Sequence, residues 1–195
     1  DLAQLYALAG EMGAANTHLE QAYQIQQASA DPDWAPELAE LREVAGVVRY
    51  YAPADPVPQQ RTNVSFDNRL NLLGYSLQPD SSSNPPEIKL TLYWQLDDLL
   101  DKDYAILVHL RDDRGRPVEH FDFQPFDDIL PTSAWPVGLE IREARRFSLP
   151  ASLPPGEYQV VIGLYLPDTL ERLSVVDDAS GENVVNLGSV VVPGL

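Results

Sequence analysis

Through residues 63–195, apolar and polar positions alternate with period two, and Pro, Gly, Asn and Asp break the alternation at intervals. Half-buried strands joined by turns produce this pattern. Ile88, Leu90, Leu92, Trp94 and Leu96 alternate with Lys89, Thr91, Tyr93 and Gln95, which predicts a strand with one dry and one wetter face. Tyr104, Ile106, Val108 and Leu110 repeat the pattern, as do Tyr158, Val160, Ile162, Leu164 and Leu166. Further strands are predicted near residues 69–78, 117–124, 140–149, 171–176 and 184–192. Turn residues separate them at Asp112-Asp113-Arg114-Gly115, Leu153-Pro154-Pro155-Gly156 and Ser180-Gly181. About eight strands with no long helix between them predict two packed antiparallel sheets, an immunoglobulin-like or jelly-roll β-sandwich.

The first third has a different period. Leu2, Leu5, Tyr6 and Ala9 recur at helical spacing, Gly10 to Gly13 interrupt, and Ala15, Leu19, Ala22 and Tyr23 resume it. Two short helices with a turn between them fit this spacing. Residues 31–62 hold Pro32, Pro36, Pro53, Pro56 and Pro58 and predict a connector. Within it a helix from Pro36 to Ala45 would bury Leu38, Leu41 and Ala45. The expected class is therefore α+β with the two kinds of element segregated. A helical hairpin at 1–30 and a connector at 31–62 precede a β-sandwich at 63–195.

Composition removes several functions. The 195 residues include no cysteine, so disulfide scaffolds, thiolate zinc sites and cysteine nucleophiles are excluded. Thirteen Lys+Arg against 30 Asp+Glu give a net charge of −17, which opposes binding to nucleic acid or anionic lipid. The acidity is spread along the chain: nine acids and two bases fall in residues 1–60, and 21 acids and 11 bases in residues 61–195. No apolar run reaches the roughly 20 residues of a membrane-spanning helix. No G-x-S-x-G and no glycine-rich phosphate loop occurs.

One constellation has the spacing for chemistry. A hairpin turning at Arg114 and Gly115 sets His109 opposite His120, with Leu107 opposite Asp122. It also collects Ile106, Val108 and Leu110 with Phe121 and Phe123 on the other face. Cross-strand neighbours stand about 4.5–5.5 Å apart at Cβ, close enough for two imidazoles to share a divalent metal. His109, His120 and Asp122 are thus a candidate metal set, the alternative being polar residues on a solvated sheet face. No other cofactor is implied. The acidic doublets Asp97-Asp98, Asp112-Asp113, Asp127-Asp128 and Asp177-Asp178 fall at strand ends, where calcium ligation and plain turn chemistry compete. Tyr93, Trp135, Tyr165 and Phe126 are candidates for stacking on a pyranose ring, with Trp135 alternatively plugging one end of the sandwich. Arg142, Arg145 and Arg146 form a basic cluster suited either to an anion or to neighbouring aspartates.

Two resemblances follow from these residues. Ala3, Tyr6, Gly10, Ala15, Leu19 and Ala22 fall at the spacing of a tetratricopeptide repeat, which this segment resembles over about 30 residues, with Gln27 where the repeat's proline would stand. Since a single repeat cannot bury its own face, the resemblance implies further repeats upstream. The segments "NLLGYSL", "LTLYWQ", "VHLRDDRGRPVEHFD", "PTSAWPVG", "LPPGEYQVVIGLY" and "ERLSV" look like an accessory β-sandwich appended to bacterial membrane glycosyltransferase-like and tetratricopeptide-repeat proteins. That resemblance implies a position on the extracytoplasmic side of a membrane protein.

The expected function is a non-catalytic binding or accessory module of a larger protein, mediating protein interaction or positioning a cell-envelope enzyme. Its partner would be another protein or the upstream part of the same chain. The alternative is a carbohydrate-binding sandwich with a glycan ligand, and a glycoside hydrolase using surface carboxylates stands behind that.

Overall fold

The computed structural model describes residues 57–192, apart from residues 84, 129, 136 and 139. Eight strands run as β1 (Gln60–Phe66), β2 (Leu70–Asp80), β3 (Glu87–Leu96), β4 (Ala105–Arg111), β5 (Pro117–His120), β6 (Glu140–Ser148), β7 (Gly156–Tyr165) and β8 (Val185–Val192). They form two four-stranded antiparallel sheets, ordered β1-β2-β3-β6 and β5-β4-β7-β8. With β2, β3 and β6 as strands A, B and E, and β5, β4, β7 and β8 as C′, C, F and G, this is immunoglobulin-like order with an added strand, β1, at the edge.

The α+β expectation is corrected. The described residues are all-β, with helical geometry confined to a kinked turn at Pro125–Asp128 and a 3-10 turn at Thr132–Ala134. The tetratricopeptide-like hairpin expected at 1–30 and the helix expected at Pro36–Ala45 lie outside the described residues, and the all-β domain lends the repeat no support. Strand β1 begins inside the expected connector. The expected strand at 171–176 is reduced to isolated bridges, Arg172 to Tyr165 and Val175 to Phe66.

Local chemistry explains the main turns. Asp67 and Asn68 take left-handed φ values of 51° and 54°, and the Arg69 amide donates to the Phe66 carbonyl, closing a type I′ turn between β1 and β2. In the β4–β5 hairpin the Asp112 Oδ1 accepts from the amides of Arg114 and Arg116, while Gly115 takes the left-handed position.

The core lies between the sheets. Leu90, Leu92 and Trp94 from one face meet Ile106, Val108, Val160, Ile162 and Leu164 from the other. Phe66 packs edge-on against Trp94 at 5.7 Å between centroids, and Trp135 lies 6.4 Å from Trp94. The loop carrying Trp135 is anchored by buried Thr132, whose hydroxyl accepts from the Tyr104 amide and donates to the Lys102 carbonyl. Beyond the core, the β7–β8 connection crosses to the first sheet. The Asp67 amide donates to the Ser174 carbonyl, and the Val176 amide donates to the Ser65 carbonyl.

That connection also runs over the outer face of the second sheet. The Glu182 carboxylate pairs with Arg111 at 2.6 Å, and the Glu182 carbonyl accepts from Arg172. A Cβ added at Gly163 would stand 2.8 Å from the Asn183 carbonyl oxygen and 3.1 Å from Leu107 Cδ2. Gly163→Ala must therefore displace the strap or the strand, and it is expected to cost about 1–3 kcal/mol. Urea denaturation checks this, and an unchanged midpoint would show that the strap yields freely.

Candidate functional site

The β4–β5 register seen in the structure pairs His109 with His120. Position 109 points away from the core, as do Leu107 and Arg111 two residues to either side. Past His120 the ladder is interrupted. The Phe121 amide donates to the Val108 carbonyl, but the Val108 amide donates to the Asp122 carboxylate at 3.2 Å rather than to a backbone oxygen. The fold back of Asp122 brings the same oxygen, Oδ1, within 3.2 Å of His109 Nε2. The two imidazole rings meet edge to face at 4.0 Å between centroids. One ligating atom from each of His109, His120 and Asp122 falls within 4.8 Å of the others.

The three differ in setting. The His109 side chain is 9% exposed and that of Asp122 is 30% exposed, while His120 faces solvent. His109 Nδ1 is buried without a hydrogen-bond partner. Burial pushes the Asp122 carboxyl up, but His109, the Val108 amide and nearby His120 outweigh it and hold the group below its usual range. Tyr165, on the adjacent β7, is also drawn in. Burial pushes its phenol up, and so does the negative charge of the Asp122 carboxylate.

The sugar-stacking expectation is corrected. Tyr93, Trp135 and Phe126 are 0%, 1% and 1% exposed, so no ring face among them is open to a pyranose. Trp135 and Phe126 belong to the inter-sheet core, where alternation along a strand could not place them because both lie in the irregular segment between β5 and β6. Of the four, only Tyr165 keeps partial exposure.

The acidic doublets are largely absorbed by turns. Asp178 accepts from the amides of Ser180 and Asn183, Asp98 accepts from the Leu99 amide, and Asp97 accepts from Asn71. Asp112 pairs with Arg116 at 2.6 Å.

Arg145, expected within a basic cluster to meet either an anion or neighbouring aspartates, pairs with Asp127 and also with Glu143, which the sequence pattern had not singled out. Glu143 and Arg145 occupy inward positions of β6, between Ile141 and Phe147 and opposite Leu92 and Leu90. Glu143 Oε1 accepts from Arg145 Nε and Nη2 and from the Phe126 amide. Arg145 continues to Asp127 at 2.7 Å and to the Gln124 carbonyl, and its guanidinium lies 4.4 Å over the Phe123 ring. The clasp holds three successive left-handed residues, Phe126, Asp127 and Asp128, each costing about 1 kcal/mol or more. The available signal was the alternation Ile141, Glu143, Arg145, Phe147, in which opposite charges sit between two apolar residues on one face. Of the remaining arginines in the cluster, Arg142 pairs with Glu140 at 2.6 Å and Arg146 faces solvent.

No family model matches the chain, and no curated protein matches it. Among solved structures, a Niemann-Pick type C2 protein from Japanese carpenter ant is 11% identical, covering 70% of this chain and 98% of that one at a TM-score of 0.40. The C-terminal domain of wzt is 13% identical, covering 60% of this chain and 74% of that one at a TM-score of 0.37. At these TM-scores neither likeness carries an argument about this chain. The resemblances to a tetratricopeptide repeat and to the accessory sandwich of repeat-bearing proteins are withdrawn because the described residues form two four-stranded antiparallel sheets, and the β-sandwich is the part of that expectation the structure retains.

Two outcomes follow from the clasp. Glu143→Ala leaves a buried guanidinium with half its partners and is expected to cost about 3 kcal/mol, read by urea denaturation. Burial raises the Glu143 carboxyl to about 7, against the pull of Arg145 and the Phe126 amide. A raised folded-state value favours the protonated form, so this contribution to stability is complete below the unfolded value and is lost as pH rises through about 7. Denaturation midpoints should fall between pH 5 and pH 8, and Glu143→Gln should flatten that dependence. A wild-type midpoint that climbs over this range would contradict it.

Proposed function

We propose that this sandwich is a non-catalytic binding or accessory module that acts through contact with another protein. The observation that supports it is the use to which its reactive-looking groups are put. Glu143, Asp127, Asp112 and Asp178 are spent on a buried clasp and on turns, where each carboxylate is held by arginine or by backbone amides. A carboxylate in such a role is poorly placed to move protons to a substrate. The immunoglobulin-like architecture, which carries contact surfaces on its edges and end loops, is consistent with that reading. One such surface is an open groove of about 500 Å3 beside β1, lined by Asn63, Val64, Ser65, Val175, Val176 and Asp177. The narrower expectation of positioning a cell-envelope enzyme rested on the withdrawn resemblance and is not carried forward.

The test has two arms. Glycoside, ester and peptide substrates together with a glycan array should give neither turnover nor specific retention. Turnover that disappears with one Asp or Glu substitution, or glycan retention, overturns the proposal. Crosslinking of the full-length protein under native conditions should join this sandwich to another domain or to a copurifying protein, and a sandwich that forms no such link counts against it.

A further inference from the structure

We propose that His109, His120 and Asp122 form a binding site for a divalent transition metal, zinc being the natural probe. Two imidazoles and one carboxylate are a donor set for zinc and its neighbours, whereas calcium and magnesium call for oxygen ligands alone. Three protein ligands leave a fourth position for water, as at zinc sites with an open coordination place.

The spacing supports the assignment. Zinc bonds of about 2.0–2.1 Å in tetrahedral geometry set adjacent ligand atoms roughly 3.3 Å apart. His109 Nε2 and Asp122 Oδ1 stand 3.2 Å apart, close to that edge and longer than the roughly 2.7–2.9 Å of a charge-assisted hydrogen bond. The third donor, on His120, lies within 4.8 Å of both. It sits on a solvent-facing side chain of the edge strand, so a rotation about its side-chain torsions can close the remaining gap.

The surroundings suit a cation. Two neutral imidazoles and a carboxylate carry one negative charge, the net charge of the chain is −17, and neighbouring Arg111 is already paired with Glu182. Asp122 has the outer support that metal ligands commonly have, from the Val108 amide. His109 lacks it, since its Nδ1 has no partner to fix the ring's tautomer. Outer partners of this kind are worth about 10–100-fold in metal affinity, so the site should bind reversibly and more weakly than a closed structural zinc centre.

The experiment is calorimetric titration of zinc chloride into the metal-free full chain, with excess calcium in the buffer. One saturable site per chain is expected. His120→Ala, at an exposed position, should weaken it at least tenfold with an unchanged circular dichroism spectrum. Asp113→Asn, a comparable loss of charge on the same hairpin, should leave it unaltered. Histidine ring resonances give a second readout, since zinc should shift those of His109 and His120 together. The proposal is overturned if wild type shows no saturable site, or if His120→Ala and Asp122→Asn bind zinc as wild type does. Either failure leaves the accessory-module reading intact, because that reading makes no use of this site.

Discussion

The two sheets are kept in their mutual placement by a buried ion pair on an edge strand. Inward positions of β6 would ordinarily be aliphatic, but at Glu143 and Arg145 the strand turns opposite charges toward the interior. Burying either charge alone would cost several kcal/mol, so each commits the other, and together they commit everything that completes their hydrogen bonding. The segment running from β5 toward β6 supplies further partners through the Phe126 amide, the Gln124 carbonyl and Asp127, while Glu143 Oε2 stays buried without a partner. Phe121 and Phe123 follow it down onto Phe147. One open side of the sandwich is thereby closed by polar geometry that admits few alternatives, where apolar packing alone would tolerate sliding.

The opposite side is closed by different means. The β7–β8 connection lays residues 174–176 against β1 and ties Glu182 to Arg111 on the outer face of the second sheet. A single connection thus touches both sheets and shelters the face on which His109 stands. Its close approach over β7 is possible because position 163 carries no side chain.

The strand periodicity was legible because each central strand buries one face against the other sheet, and two-residue alternation records that directly. The His109–His120 register was legible for a more local reason: the Asp112–Gly115 turn places the hairpin, and although the register shifts between Leu110 and Arg111, the pairing at His109 is the one a turn centred between Arg114 and Gly115 predicts. Strand β1 was lost in a stretch weighted by prolines, since Gln60 to Phe66 carries few apolar residues and is an edge strand with one partner. Tyr93 shows a further limit. Alternation assigns it to the wetter face of β3, yet it is fully buried, and pattern along one strand cannot report what covers the back of a sheet. Phe126 and Trp135 lie where the backbone has no regular period, so their burial follows from long-range packing alone.

The stitching of residues 174–176 onto β1 has a consequence for association. An unpaired edge strand offers a row of amides and carbonyls to any passing extended chain, and sheet proteins that leave such edges bare tend to add strands and aggregate. Here the backbone groups at Ser65 and Asp67 are already taken by Val176 and Ser174 of the same molecule. An incoming strand would first have to peel the connection away from this end of β1, so a segment that looks like a loose crossover guards the last residues of that edge.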